Sequence, residues 1–96
     1  MNSVDFPADH PVFVVEDDPA VRLGCSQALS LAGIDVREFE DAESAFAALS
    51  HAVPAAIVSD IRLPGIDGLT LLASVKARAK DSDIPIILVT GHGDIA

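Results

Sequence analysis

Positive charge is scarce: six lysines and arginines stand against fifteen aspartates and glutamates in 96 residues, a formal charge of −9. That deficit excludes a general affinity for nucleic acid or anionic membranes, because both rely on Lys and Arg neutralising phosphate. Any DNA-related role would have to come through another domain. Cysteine is nearly absent too. The single Cys25 excludes an internal disulfide, and without a Cys/His cluster there is no structural zinc pattern, which fits a reducing cytoplasm. Trp and Tyr are missing and only four Phe are present, so the core has to be built mostly from Ala, Leu, Val and Ile. No apolar run reaches the roughly 18 residues of a membrane span, and Met1 to His10 lacks the basic start and apolar stretch of an export signal. A chain this short makes at most one small domain and buries about two thirds of its unfolded surface.

What is present is a set of β-branched runs separated by helical patterns. Residues 1–10 read as a flexible lead-in. A strand is predicted at 11–16. Asp18 then suits an N-cap and Pro19 a first helical turn, with Val21, Leu23, Ala28, Leu29 and Leu31 expected on the inner side and Gly33 as the stop. The alternating stretch 34–39 reads as a half-exposed edge strand, and Asp41 caps a second helix to about Ser50. Residues 55–59 form the next buried strand. A loop containing Pro64, Gly65 and Gly68 leads to a third helix over 69–79, expected to face Leu69, Leu72, Val75 and Ala79 inward. Its Lys76, Arg78 and Lys80 complement the C-terminal end of the helix dipole. A last strand covers 86–89. The order β-α-β-α-β-α-β with right-handed crossovers predicts an α/β doubly wound parallel sheet with the first strand near its centre.

Two of the apolar runs stop abruptly on acid: Val12-Phe13-Val14-Val15 on Glu16-Asp17-Asp18, and Ala55-Ala56-Ile57-Val58-Ser59 on Asp60. Open parallel sheets bind ligands just beyond the carboxyl ends of their strands, so these carboxylates are expected to converge there. Converging carboxylates repel unless something positive sits among them, and oxygen ligands favour magnesium or calcium. The residues alone thus predict a small acidic metal-binding pocket.

Three blocks together give a more specific reading: Val-Val-Glu16-Asp17-Asp18-Pro-Ala-Val-Arg22, then Ser59-Asp60-Ile-Arg62-Leu-Pro64-Gly65-Ile-Asp67-Gly68, then Val89-Thr90-Gly91-His92-Gly93-Asp94. In order and spacing the chain resembles the receiver domain of bacterial two-component response regulators. It is most similar to receivers of enhancer-binding transcriptional activators of the nitrogen-regulation and dicarboxylate-transport type. The resemblance implies a flavodoxin-like sheet of strand order 2-1-3-4. It also implies a module, rather than an enzyme, that accepts a phosphoryl group on Asp60 from a sensor histidine kinase to control a transcriptional output.

By that resemblance Asp17 and Asp60 ligate Mg2+ directly, Glu16 does so through water, and the backbone carbonyl of Arg62 supplies a further oxygen. Thr90 is the switch hydroxyl that moves to the new phosphoryl group, beside Gly91. Asp18 is read as the helix cap rather than a ligand, and Asp67 as a loop-stabilising residue or the cap of the third helix. His92 is assigned no role, and Cys25 is a small helix residue.

A complete receiver continues with a helix, a fifth strand ending in a phosphate-pairing lysine, and a last helix, none of which follows in this sequence. Residues 11–96 are therefore expected to be a partial receiver lacking the last helix-strand-helix, and neither Lys76 nor Lys80 is in register to replace that lysine. A lost charge-assisted hydrogen bond is worth about 1.5–3 kcal/mol, which favours an alternative reading as an interaction-only fragment that docks partners without stable phosphorylation. The strand 86–89 would also be left as an uncovered edge, predicting self-association. A Mg2+-dependent phosphohydrolase would place acids similarly but needs an Asp-x-Asp-type nucleophile motif or a positioned general base on these strands, and neither is found.

Overall fold

A computed structural model of the chain describes residues 10–89. The expected lead-in 1–10 lies outside the described residues apart from His10, and so do Thr90 and the block after it. The elements run β1 (Val12–Val15), α1 (Pro19–Leu31), β2 (Val36–Phe39), α2 (Ala42–Ala48), β3 (Ala56–Asp60), α3 (Gly68–Lys76), a 3-10 turn (Ala79–Asp81) and β4 (Ile86–Val89). The four strands pair in parallel in the order β2-β1-β3-β4, as expected. In-register pairing of Val15 with Ser59 and of Asp60 with Val89 brings the carboxyl ends of β1, β3 and β4 to one rim.

Alternation along the strands sends side chains to two cores. Phe13, Val15 and Ile57 pack under α2 and α3 with Ala42, Ala45, Leu49, Leu71 and Val75, while Val12, Val14 and Ala56 meet Cys25 and Leu29 of α1. Burying a side chain such as Phe13 or Ile57 contributes about 1.5–3 kcal/mol each, enough for a few such residues to hold the sheet and helices together. At the β2 edge the Arg37 guanidinium lies over the rings of Phe13 and Phe39, 5.7 and 5.8 Å from their centroids.

Two helix faces differ from expectation. On α1 the inward stripe is Cys25, Ser26 and Leu29, while Val21, Leu23, Ala28 and Leu31 are exposed, Leu31 at 90%. Val21 and Leu23 are two residues apart and so stand about 200° apart on a helix, and cannot share a face. The sheet selects the single stripe that fits over Val12 and Val14. On α3 the buried positions are Gly68, Leu71 and Val75; Leu69 is 53% exposed, Leu72 is only half-buried, and the helix ends before Ala79. The face is displaced because the helix begins at Gly68, which is pressed against β3.

The basic residues after α3 also act differently from a simple dipole complement. Lys76 does stand in the last turn, but its Nζ donates to the carbonyls of Ser82 and Ile84 at 2.8 and 2.9 Å. Arg78 and Lys80 converge on Asp81, which is 1% exposed, at 3.1 and 3.3 Å, and Lys80 also donates to the Leu49 carbonyl. Arg78 stacks over Phe46 at 4.8 Å. Asp81 thus ties the α3–β4 link to the end of α2. Asp81→Ala should cost about 1–3 kcal/mol in chemical denaturation, less than a fully buried pair because both cations retain solvent contact.

The helix caps are local and legible. Asp18 Oδ1 accepts from Ala20 and Val21 amides, Asp41 from Ser44 and Asp67 from Thr70. Hydrogen bonds from Ser44 hold the Asp41 carboxyl below its ordinary range, and those from Thr70 do the same for Asp67. A depressed carboxyl stabilises the fold above its unfolded pKa, and that stability is lost as pH falls through the folded value. Asn caps well without titrating. Asp41→Asn and Asp67→Asn should therefore each flatten the fall in thermal midpoint between about pH 6 and about pH 3.

Candidate functional site

β1 and β3 lie side by side, so the acids that follow or end them meet at the rim. Glu16 and Asp60 are buried, at 5% and 2% exposure, while Asp17 is exposed. One carboxylate oxygen from each of Glu16, Asp17 and Asp60 lies within 4.8 Å of the other two. Three of the four expected ligating residues are thereby brought together.

The two buried acids are each held by a backbone amide. The Asp18 amide donates to Glu16 Oε2 at 3.0 Å, and the Arg62 amide to Asp60 Oδ1 at 3.1 Å. Burial pushes the Glu16 carboxyl above its ordinary range. The Asp18 amide bond partly offsets this, and the neighbouring Asp60 and Asp17 charges add to the rise. Asp18, as expected, is turned away as the cap of α1. Arg62 is placed one residue beyond Ile61, whose amide bonds the Val89 carbonyl, so the start of the loop after Asp60 is anchored to β4.

Gly68 shapes this loop from the far side. Its amide donates to the Ile61 carbonyl at 2.9 Å, and a Cβ there would collide with the Asp60 carbonyl oxygen. Gly65 turns the loop at φ +73°, a left-handed conformation that favours glycine.

Two contributors are not legible as site residues in the sequence. Glu43 of α2 reaches the loop, its Oε2 accepting from the Ile66 amide at 3.4 Å. Arg22 of α1 donates from Nη1 to the Glu16 carbonyl at 2.7 Å. The only available signal for Arg22 is a cation one turn into the helix that follows an acid-ended strand. Glu43, 23 residues from its partner, has none.

A small pocket of mutually repelling carboxylate oxygens suits a hard divalent cation. The donor set contains no sulfur or imidazole, and its open side at Asp17 leaves room for water or phosphoryl oxygens. These residues fit magnesium.

The family description of the response regulator receiver domain matches residues 12–96. The C4-dicarboxylate transport transcriptional regulatory protein DctD of Rhizobium meliloti is 49% identical over 84 residues, covering 88% of this chain and 18% of that protein. DctD of Pseudomonas aeruginosa is 43% identical over 90 residues, covering 94% and 19%. The solved structure of the response regulator TrrA from Thermotoga maritima, in complex with Mg2+–BeF, superposes with a TM-score of 0.79 at 27% identity, covering 88% of this chain and 71% of that one. The chain spans about a fifth of the length of the two curated relatives, both transcriptional regulators. With an acid-rimmed parallel sheet and a match over nearly its whole length, the chain belongs to the response regulator receiver domain family.

Proposed function

We propose that this chain is the phosphoryl-accepting module of a two-component relay, with Asp60 as the acceptor and a sensor histidine kinase as the donor. The observation that carries the reading is the convergence of Glu16, Asp17 and Asp60 within 4.8 Å at the carboxyl end of the sheet. Asp17 and Asp60 would hold Mg2+ directly and Glu16 through water, with the Arg62 carbonyl as a further oxygen. When bound, the cation neutralises charge on the transferring phosphoryl group.

The rest is positioning by the protein. Asp60 sits at the end of a buried strand, and the Arg62 amide fixes its carboxylate orientation. A carboxylate oxygen of Asp60 attacks phosphorus, the phosphorus–nitrogen bond of the donor phosphohistidine breaks, and the imidazole keeps the electron pair and takes a proton. The product is an aspartyl phosphate. Thr90, outside the described residues, is proposed as the hydroxyl that then turns to the phosphoryl group.

The negative charge argues for output through a separate domain rather than direct contact with nucleic acid. No helix among the described residues is long and apolar enough to cross a membrane, and the single cysteine fits a cytoplasmic setting.

The reading is tested by incubating the chain with acetyl phosphate and Mg2+ or with a chelator. The expected result is one phosphoryl group, dependent on Mg2+ and released by hydroxylamine, as an acyl phosphate is and a phosphoserine is not. A hydroxylamine-resistant label, or one indifferent to chelation, would overturn it.

A second proposal concerns the last strand. β4 is the edge of the described sheet, with Ile87 and Val89 exposed at 53% and 39%. Such an edge is a template for strand addition. Sedimentation of this 96-residue chain should show concentration-dependent self-association. A monodisperse monomer across the concentration range would contradict it.

A further inference from the structure

We infer that Arg22 is a positioning residue that sets the geometry of the acidic pocket through the Glu16 backbone, touching neither cation nor phosphoryl group. The inference rests on the proposed Mg2+ site. Arg22 lies in the first turns of α1 with its side chain 19% exposed. Its guanidinium spans two elements: Nη1 donates to the Glu16 carbonyl at 2.7 Å, and Nε faces Glu38 Oε1 of β2 at 3.5 Å. The fork thus ties the end of β1 to its edge neighbour.

Glu16 is consequently held at three points. Its amide donates to the Phe39 carbonyl at 3.0 Å, its side chain accepts from the Asp18 amide at 3.0 Å, and its carbonyl accepts from Arg22. The loop closes on itself because the Arg22 amide also donates to the Asp18 carbonyl at 2.9 Å. Of these three bonds, the one to the carbonyl is the one that holds the plane of the Glu16–Asp17 peptide, since a planar peptide moves as one unit. That plane places the Cα of Asp17, the exposed member of the three acids, and so the point from which its side chain extends.

A role through charge alone makes the opposite prediction. A guanidinium beside three carboxylates repels an incoming cation, so its removal would tighten Mg2+ binding. Glu38 offsets much of that charge locally, leaving the hydrogen bond as the dominant contribution. Partners of this kind behind metal ligands change metal affinity by about 10–100-fold when removed.

The test is a calorimetric Mg2+ titration of the whole chain, since the sequence has no Trp or Tyr to report binding. Arg22→Met, which keeps the apolar stem, should raise the Mg2+ dissociation constant about tenfold. Arg22→Lys, which keeps the charge but cannot bridge both partners, should recover only part of it. Glu38→Gln, which retains the carbonyl bond, should change it least. Thermal melting without Mg2+ checks that each variant is folded; should Arg22→Met unfold, the Arg22→Lys and Glu38→Gln pair carries the comparison. Unchanged or tighter binding in the folded Arg22 variants overturns the inference while leaving the site intact. A wild-type chain that binds no Mg2+ overturns the underlying site and the inference with it.

Discussion

Asp60→Asn should abolish phosphoryl acceptance while leaving the fold in place. Asparagine has nearly the same shape as aspartate, so it fits a position that is 2% exposed without opening a cavity. Its carbonyl oxygen can still accept from the Arg62 amide, now 3.1 Å from Oδ1. What it lacks is a carboxylate lone pair able to form an acyl phosphate, and loss of a nucleophile typically lowers turnover by at least about 10³-fold.

The same change removes one of three mutually repelling charges. The cation-free variant should therefore melt no lower than the wild type, and Mg2+ should bind it more weakly. Phosphoryl incorporation measured beside thermal midpoints separates these effects. A variant that is folded and still labelled at the wild-type rate would place the acceptor elsewhere.

Gly68→Ala should damage both stability and site. An added Cβ would meet the Asp60 carbonyl oxygen, with Ile61 Cα at 3.0 Å and the Asp60 carbonyl carbon at 3.1 Å. All three are backbone atoms at the strand end that carries the proposed acceptor, and none can rotate away. Either α3 withdraws and the Gly68 amide loses its 2.9 Å bond to Ile61, or the Asp60–Ile61 backbone shifts. Overpacking of this kind costs about 1–3 kcal/mol, which for a small domain lowers the midpoint by roughly 10 °C.

The loss should come with weaker Mg2+ binding, because the displaced atoms lie between Asp60 and Arg62. Gly65→Ala offers a graded comparison: its Cβ would come 2.7 Å from Glu43 Oε2, the end of a flexible side chain that can move, leaving mainly the strain of φ +73°. Equal effects of the two substitutions, read by melting with and without Mg2+, would contradict the close-approach explanation for Gly68.

The strands and the acid rim were legible because their signals are local. β-branched runs ending in Glu16 and Asp60 specify both the buried strands and the end at which charge collects. The caps Asp18, Asp41 and Asp67 were legible for the same reason, since each bonds an amide two or three residues ahead.

Helix orientation was not. α1 carries apolar residues on all sides, so its sequence does not choose between Val21, Leu23 and Leu29; the surface over Val12 and Val14 does. The inward face of α3 is fixed by the approach of Gly68 to β3, which periodicity from Leu69 onward does not encode. Arg22 and Glu43 escaped because their partners are backbone groups on other elements, a Glu16 carbonyl and an Ile66 amide, and a sequence pattern marks side chains.

The most direct test of the account is the site and number of phosphoryl groups. The chain is incubated with Mg2+ and acetyl phosphate, its intact mass recorded, and the acyl phosphate converted by hydroxylamine to a hydroxamate that peptide mass spectrometry can place. The account predicts a gain of one phosphoryl group and a hydroxamate confined to Asp60, both absent from Asp60→Asn. No gain under conditions where calorimetry shows Mg2+ bound, or a hydroxamate at Glu16 or Asp17, would contradict it and favour a module that docks partners without accepting phosphate.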